Sequence, residues 1–137
     1  MVDIETVELV ADPYPPYQFR EGGAVRGVDH DMIAAAFRLR GLETRTTLLP
    51  WDECLRRVGS GEAHGIFQIQ RSPEREQAFL FSRPIRTART VFFQKAGSGF
   101  RFEEGGDPVA ALSRCRLGVI AGYGYGEVVD AVPAEAK

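Results

Sequence analysis

The sequence predicts an α/β fold: a lobe with a mainly parallel central sheet flanked by helices, followed by the beginning of a second α/β lobe. Three observations carry this. Short runs of branched residues at period two alternate with longer runs at helical period, the first two helical runs end in glycine, and a fresh strand, glycine turn and helix pattern opens after a glycine-rich interruption. Strands alternating with helices call for crossovers that return each strand parallel to the last, right-handed where chirality applies.

Residues 7–12, VELVAD, read as a first strand, closed by the turn-forming run from Asp12 to Pro16. Residues 29–41 repeat apolar side chains at helical spacing through Met32, Ile33, Ala36 and Phe37, with Gly41 as the C-terminal cap. A second strand spans 43–49. Residues 51–61 then set Trp51, Cys54, Leu55 and Val58 on one helical stripe before a glycine stop. A third strand at 65–69 runs into a helix at Ser72, whose side chain suits the first-turn N–H groups while Pro73 costs nothing at the first helical position. The apolar run 89–95 is expected to be a fourth strand of the same sheet. The resulting organisation is a nearly complete first lobe over 1–95, a linker over 96–111 and the start of a second lobe over 112–137.

Composition narrows the function classes. A chain of 137 residues bounds the answer to about one domain. A net charge of -2, with no basic run interleaved with aromatics, argues against a nucleic-acid partner. The first residues lack the regions of a secretory leader, so the chain is either cytosolic or has had its leader removed. Cys54 and Cys115 have no metal-binding or redox spacing and read as buried or partly buried thiols, and no cofactor or metal motif is present.

Ligands of open parallel sheets sit beyond the carboxyl ends of the strands. Three stretches fall there: Asp12 to Tyr17, Pro50-Trp51, and Gln68 to Arg75. They offer aromatic walls (Tyr14, Tyr17, Trp51), amides (Gln68, Gln70) and one fixed cation, Arg75. An arginine in the first turn of a helix is disfavoured by the positive helix terminus unless an anion sits beside it. A ligand carboxylate, matched bidentately by guanidinium, is one such anion; Asp52, Glu74 or Glu76 at the surface are the plain alternatives. The GYGYG turn, 122–126, either offers bare N–H groups to an anion or simply makes a tight connection.

The succession DPYPPYQF, GGAVRGVDHDMIAAAF, PWDECLRRVGSGEAHGIFQIQRSPERE, FSRPI and LGVIAGYGYG resembles the bacterial extracellular solute-binding proteins of family 3, the polar amino acid receptors of ABC importers. The resemblance spans roughly residues 7–130. It implies a periplasmic-binding-protein-like lobe that closes on a small ligand, an amino acid or related organic acid. It implies that Arg75 holds the ligand carboxylate and that Phe67, Gln68 and Gln70 line the strand end. Tyr14 and Trp51 would be aromatic walls, Asp12 would stand near the start of the site, and Tyr123, Gly124 and Tyr125 would form the second-lobe turn. The implied partner is the membrane permease of an importer, and the implied location periplasmic or extracellular. A ligand-sensing input domain of a membrane receptor uses the same fold, as does a dehydratase on cyclic acids, although no catalytic constellation is legible here. His64 stands where the family usually has aspartate, and Gln68 and Gln70 replace small residues. The length accounts for one lobe and the beginning of another, which leads us to expect a fragment, a truncated product or half of an assembly that another chain completes, a swapped homodimer being one such assembly.

Overall fold

The computed structural model describes residues 6–137, which divide in sequence between Phe81 and Ser82 into two compact units. In chain order the first unit contains β1 (Thr6–Ala11), β2 (Phe19–Glu21), β3 (Ala24–Arg26), α1 (Val28–Arg38), β4 (Glu43–Leu48), α2 (Trp51–Gly59), β5 (Gly65–Ile66) and α3 (Pro73–Glu76). β1 is the middle strand of a three-stranded parallel sheet of order β4-β1-β5.

Both faces of β1 are covered, which is why its sequence is nearly continuously apolar. Val7, Leu9 and Ala11 share one face with Phe67 and pack against Ile33 and Phe37 of α1, with Leu42 and Leu48. Val10 faces the other way and joins Cys54 and Ala63, with Val58 of α2, Leu49 and Ile66 around them. The layers are therefore helix, sheet and helix. Burying a valine or leucine is worth roughly 1.5–3 kcal/mol, so this one strand anchors both layers.

The helix α1 turns its buried line through Asp29, Ile33 and Phe37, spaced four residues apart. Met32, expected inside, is 39% exposed, and Ala36 is exposed as well, because the stripe is centred one residue away from the one expected. Between β1 and α1 a hairpin pairs β2 with β3. Its turn residues Gly22 and Gly23 have φ of 57° and 84°, the two positive values a two-residue hairpin turn demands.

At the opposite end of β1 from the candidate ligand edge, the Glu8 N–H donates to His64 Nδ1 at 2.9 Å, while the His64 N–H donates to the Glu8 carbonyl at 2.8 Å. The Glu8 carboxylate accepts from Arg45 on β4 at 2.7 Å. β5 is shorter than the expected 65–69. It ends at Ile66 because Gln68 takes a left-handed φ of 59°, which no ladder accommodates.

In the second unit α4 (Pro108–Leu112), α5 (Glu127–Asp130) and a 3-10 turn over Ala134–Ala136 surround a small core of Leu112, Val132 and Ala136. Asp107 caps α4 by accepting from the Val109 N–H at 2.9 Å. Two strand expectations are corrected here: among the described residues, neither 89–95 nor the stretch after Cys115 forms a strand. A strand is a ladder, and branched or aromatic residues without a partner do not make one: Phe93 is 94% exposed.

Candidate functional site

From β1 the chain reaches one neighbour, β4, and then crosses to the other, β5. That reversal of order places a crevice beyond the carboxyl ends of the strands. Asp12 to Gln18 follow β1, Trp51 follows β4, and Phe67 to Arg75 follow β5, so all of these emerge at the same edge of the sheet.

The loop after β1 folds back on itself. The Tyr14 N–H donates to the Gln18 carbonyl at 2.7 Å, and the Tyr17 N–H to the Tyr14 carbonyl at 2.8 Å. The Pro15–Pro16 peptide is cis. The Tyr14 and Tyr17 rings stack at 5.8 Å with 14° between their planes, and Tyr14 is 45% exposed, so the loop presents an aromatic surface. Its carbonyls cap α1: Pro16 accepts from the Val28 N–H at 3.2 Å, and Tyr17 from the N–H groups of Asp29 at 3.0 Å and His30 at 3.3 Å. These first-turn donors have no partner within the helix itself. The close approach is available only because residue 27 is glycine: a Cβ there would lie 2.3 Å from the Tyr17 oxygen, and its φ is 128°.

Asp12, just past β1, is 7% exposed, and Gln18 is fully buried. The Gln18 Nε2 donates to the Asp12 carbonyl at 3.0 Å and to the Gln68 Oε1, tying the end of β1 to the end of β5. A left-handed glutamine is held at a cost of about 1 kcal/mol or more and marks a place where surrounding contacts dictate the backbone.

On the other side of the edge, Ser72 caps α3 by accepting from the Arg75 N–H at 3.2 Å. The Arg75 guanidinium carbon lies 5.4 Å from the Trp51 ring centroid, within cation–π range. Arg75 Nη1 donates to the Gln70 carbonyl at 2.9 Å. Glu76 is engaged by Arg71. The edge thus carries a partly buried, fixed cation against an aromatic face, one buried and one half-buried amide, and the buried Asp12. Such a surface suits a small anionic or zwitterionic solute.

Of the residues singled out in the sequence, Asp12, Tyr14, Tyr17, Trp51, Gln68, Gln70 and Arg75 all emerge at this edge. Phe67 is 7% exposed and packs with Val7, Leu9 and Ala11, so its side chain belongs to the core. Tyr123, Gly124 and Tyr125 lie in the second unit. There the Tyr123 and Tyr125 rings are 6.4 Å apart, and the Tyr125 hydroxyl accepts from the Ile120 N–H at 2.8 Å, bracing the turn. Gln18 had not been singled out, since a lone glutamine in a turn carries no pattern. Beneath the edge, burial and the nearby Asp12 carboxylate push the Cys54 thiol up to about 11, and its Sγ donates to the Leu49 carbonyl at 3.6 Å. Among the described residues no three His, Cys, Asp or Glu side chains come together as a metal site would require.

The family model described as bacterial extracellular solute-binding proteins, family 3, matches residues 7–129. No curated protein matches the chain. Among solved structures, the open substrate-binding domain 2 of GlnP from Lactococcus lactis is 19% identical with a TM-score of 0.51, covering 56% of this chain and 34% of its own. An ancestral arginine-binding protein bound to arginine is 19% identical, TM-score 0.48, covering 54% and 34% respectively. A putative binding component of an ABC transporter from Wolinella succinogenes, complexed with lysine, is 18% identical, TM-score 0.47, covering 54% and 33%. The chain thus spans about a third of the length of the solved structures it matches; the first of these likenesses shows the fold.

Proposed function

Because the chain belongs to the bacterial extracellular solute-binding proteins of family 3, we propose that its first unit captures a small carboxylate-bearing solute, an amino acid or a related organic acid, for an ABC importer. One observation carries the reading: Arg75, in the first turn of α3, is steered by the Gln70 carbonyl and backed by the Trp51 ring at the carboxyl edge of the sheet. A guanidinium oriented in this way at the ligand edge of the sheet matches a ligand carboxylate bidentately.

In this reading Arg75 pairs with the carboxylate, and Tyr14, Tyr17 and Trp51 wall the apolar part. Asp12, Gln68, Gln70 and the backbone at Phe67 meet the polar remainder. Tyr123, Gly124 and Tyr125, in the second unit, form the turn to which the family resemblance assigns a part in ligand binding. Residues 1–95 serve as the first lobe, 96–111 as connector and 112–137 as the start of the second lobe. The protein works outside the cytoplasmic membrane beside a permease, and a swapped homodimer is one way to bring two walls together.

The test is a thermal-shift screen of the twenty amino acids, a set of small organic acids, and the primary amides of both. A ligand that binds only the native state raises stability by RT ln(1 + [L]/Kd). Shifts confined to carboxylate-bearing compounds, abolished by Arg75→Ala, support the reading. Equal shifts in the variant overturn it.

A further inference from the structure

The buried amide contact at the sheet edge has a direction. Gln18 sits beside the Asp12 carbonyl oxygen, which only accepts, so the Gln18 atom facing it is the nitrogen. The second N–H of that nitrogen goes to Gln68, and the Gln68 atom that receives it is Oε1. Both donors of Gln18 are then used. The Gln18 Oε1, also buried, has no hydrogen-bond partner, so the orientation is imposed by the two donated bonds and not by its own acceptor. Gln68 is left with Nε2, whose two N–H groups take no partner among the described residues. Among the described residues, Gln68 is also the one non-glycine residue with positive φ.

We propose that Gln18 is a positioning residue that holds the Gln68 amide with its NH2 end turned away from the core. The solute then meets a donor at this point, and the site favours a ligand oxygen over an ammonium. The inference rests on reading the sheet edge as the ligand site. It names the ligand group concerned: a carboxylate, carbonyl or hydroxyl oxygen, as carried by 2-oxo and 2-hydroxy acids, in place of the nitrogen of the matching amino acid.

Side-chain amide proton exchange in the ligand-free protein tests the orientation directly. Gln18 amide protons are expected to exchange about a hundredfold slower than those of exposed Gln70 and Gln77, and to show contacts to the Gln68 γ-methylene, while the Gln68 amide protons exchange at the rate of the exposed ones. Slow exchange at Gln68 would mean that its nitrogen faces Gln18, which overturns the orientation.

Selection is then read by calorimetry on matched pairs: L-glutamate with 2-oxoglutarate, L-leucine with 4-methyl-2-oxopentanoate, and L-phenylalanine with phenylpyruvate. Gln18→Met should move the Kd ratio of the binding pair about tenfold toward the amino acid, because the freed Gln68 amide can turn its oxygen outward. Gln68→Met, which keeps Gln18 and its bond to the Asp12 carbonyl, should move the ratio in the same direction. An unchanged ratio in both variants overturns the selection. A chain that binds no member of any pair overturns the ligand-site reading and the selection with it, while the exchange rates still decide the orientation.

Discussion

The Arg75 guanidinium stands over the Trp51 ring at 5.4 Å, so residues following two different strands, β4 and β5, meet as cation and aromatic face. Arg75→Ala should therefore weaken ligand binding by about 2–5 kcal/mol, because it leaves a carboxylate desolvated without its bidentate partner. Folding should change by less than about 1 kcal/mol. Paired titrations of wild type and variant with the best compound from the screen check this, and equal dissociation constants would reject Arg75 as the anchor.

Ser72 holds the first turn of α3 through its contact with the Arg75 N–H. Ser72→Ala removes that cap at a cost of about 1 kcal/mol. Since α3 is only four residues long, the loss should appear locally, as faster amide exchange at Arg75, with a partial loss of affinity that leaves the denaturation midpoint nearly unmoved.

Gly27→Ala should be more damaging than Gly41→Ala. At Gly41 (φ 74°) a Cβ meets nothing within 4 Å, so only the left-handed backbone opposes the change, at about 1 kcal/mol. At Gly27 the new carbon collides with the Tyr17 carbonyl at 2.3 Å as well. Chemical denaturation should show a loss on the order of 1–3 kcal/mol beyond that of Gly41→Ala, together with a changed tyrosine environment.

Acid stability has a local source on α2 and in the turn that follows it. Hydrogen bonds from Arg56, then Arg57, hold the Glu53 carboxyl down to about 2, and Arg56, then Ser60, hold Glu62 down to about 2, both against an ordinary value of 4.5. A carboxyl depressed in the folded state contributes stability that is present above its unfolded value and is lost as pH falls through the folded one. The pair should therefore steepen the loss of stability from pH 4.5 down to about 2. The double variant Glu53→Gln/Glu62→Gln should flatten that limb in urea titrations at low salt. At about 1 M salt the difference should shrink, because the network lies at the surface.

What the sequence revealed of the fold follows the range of each signal. β1, α1, β4 and α2 announce themselves by local periodicity, and the Ser72-Pro73 start of α3 by cap chemistry, so all appear within a few residues of their expected positions. The run 89–95 has strand composition, yet pairing is decided by what lies alongside, and composition does not encode that. Gln68 ends β5 through a left-handed backbone that nothing in its residue type demands. At the candidate site, Arg75, Trp51 and the two tyrosines were legible because charge and aromatic surface out of context are local oddities. Phe67 was assigned by its place at a strand end, whereas its side chain continues the face of Val7, Leu9 and Ala11. Gln18 stayed hidden because its burial comes from the loop folding back to cap α1, a tertiary event.

The central place of β1 also has a kinetic side. Glu8 on this strand meets Arg45 across 37 residues of chain and His64 across 56, so the strand synthesised first in the sheet cannot complete both edges until the segment carrying its last partner has emerged. Closing such loops is slow relative to forming helices. During translation β1 is thus an apolar segment waiting for company, with α1 able to form beside it long before β5 arrives. The imidazole of His64, accepting the Glu8 N–H, belongs to the late step that ends this exposure, and residue 64 is accordingly a place where substitution should alter the folding rate of the first unit.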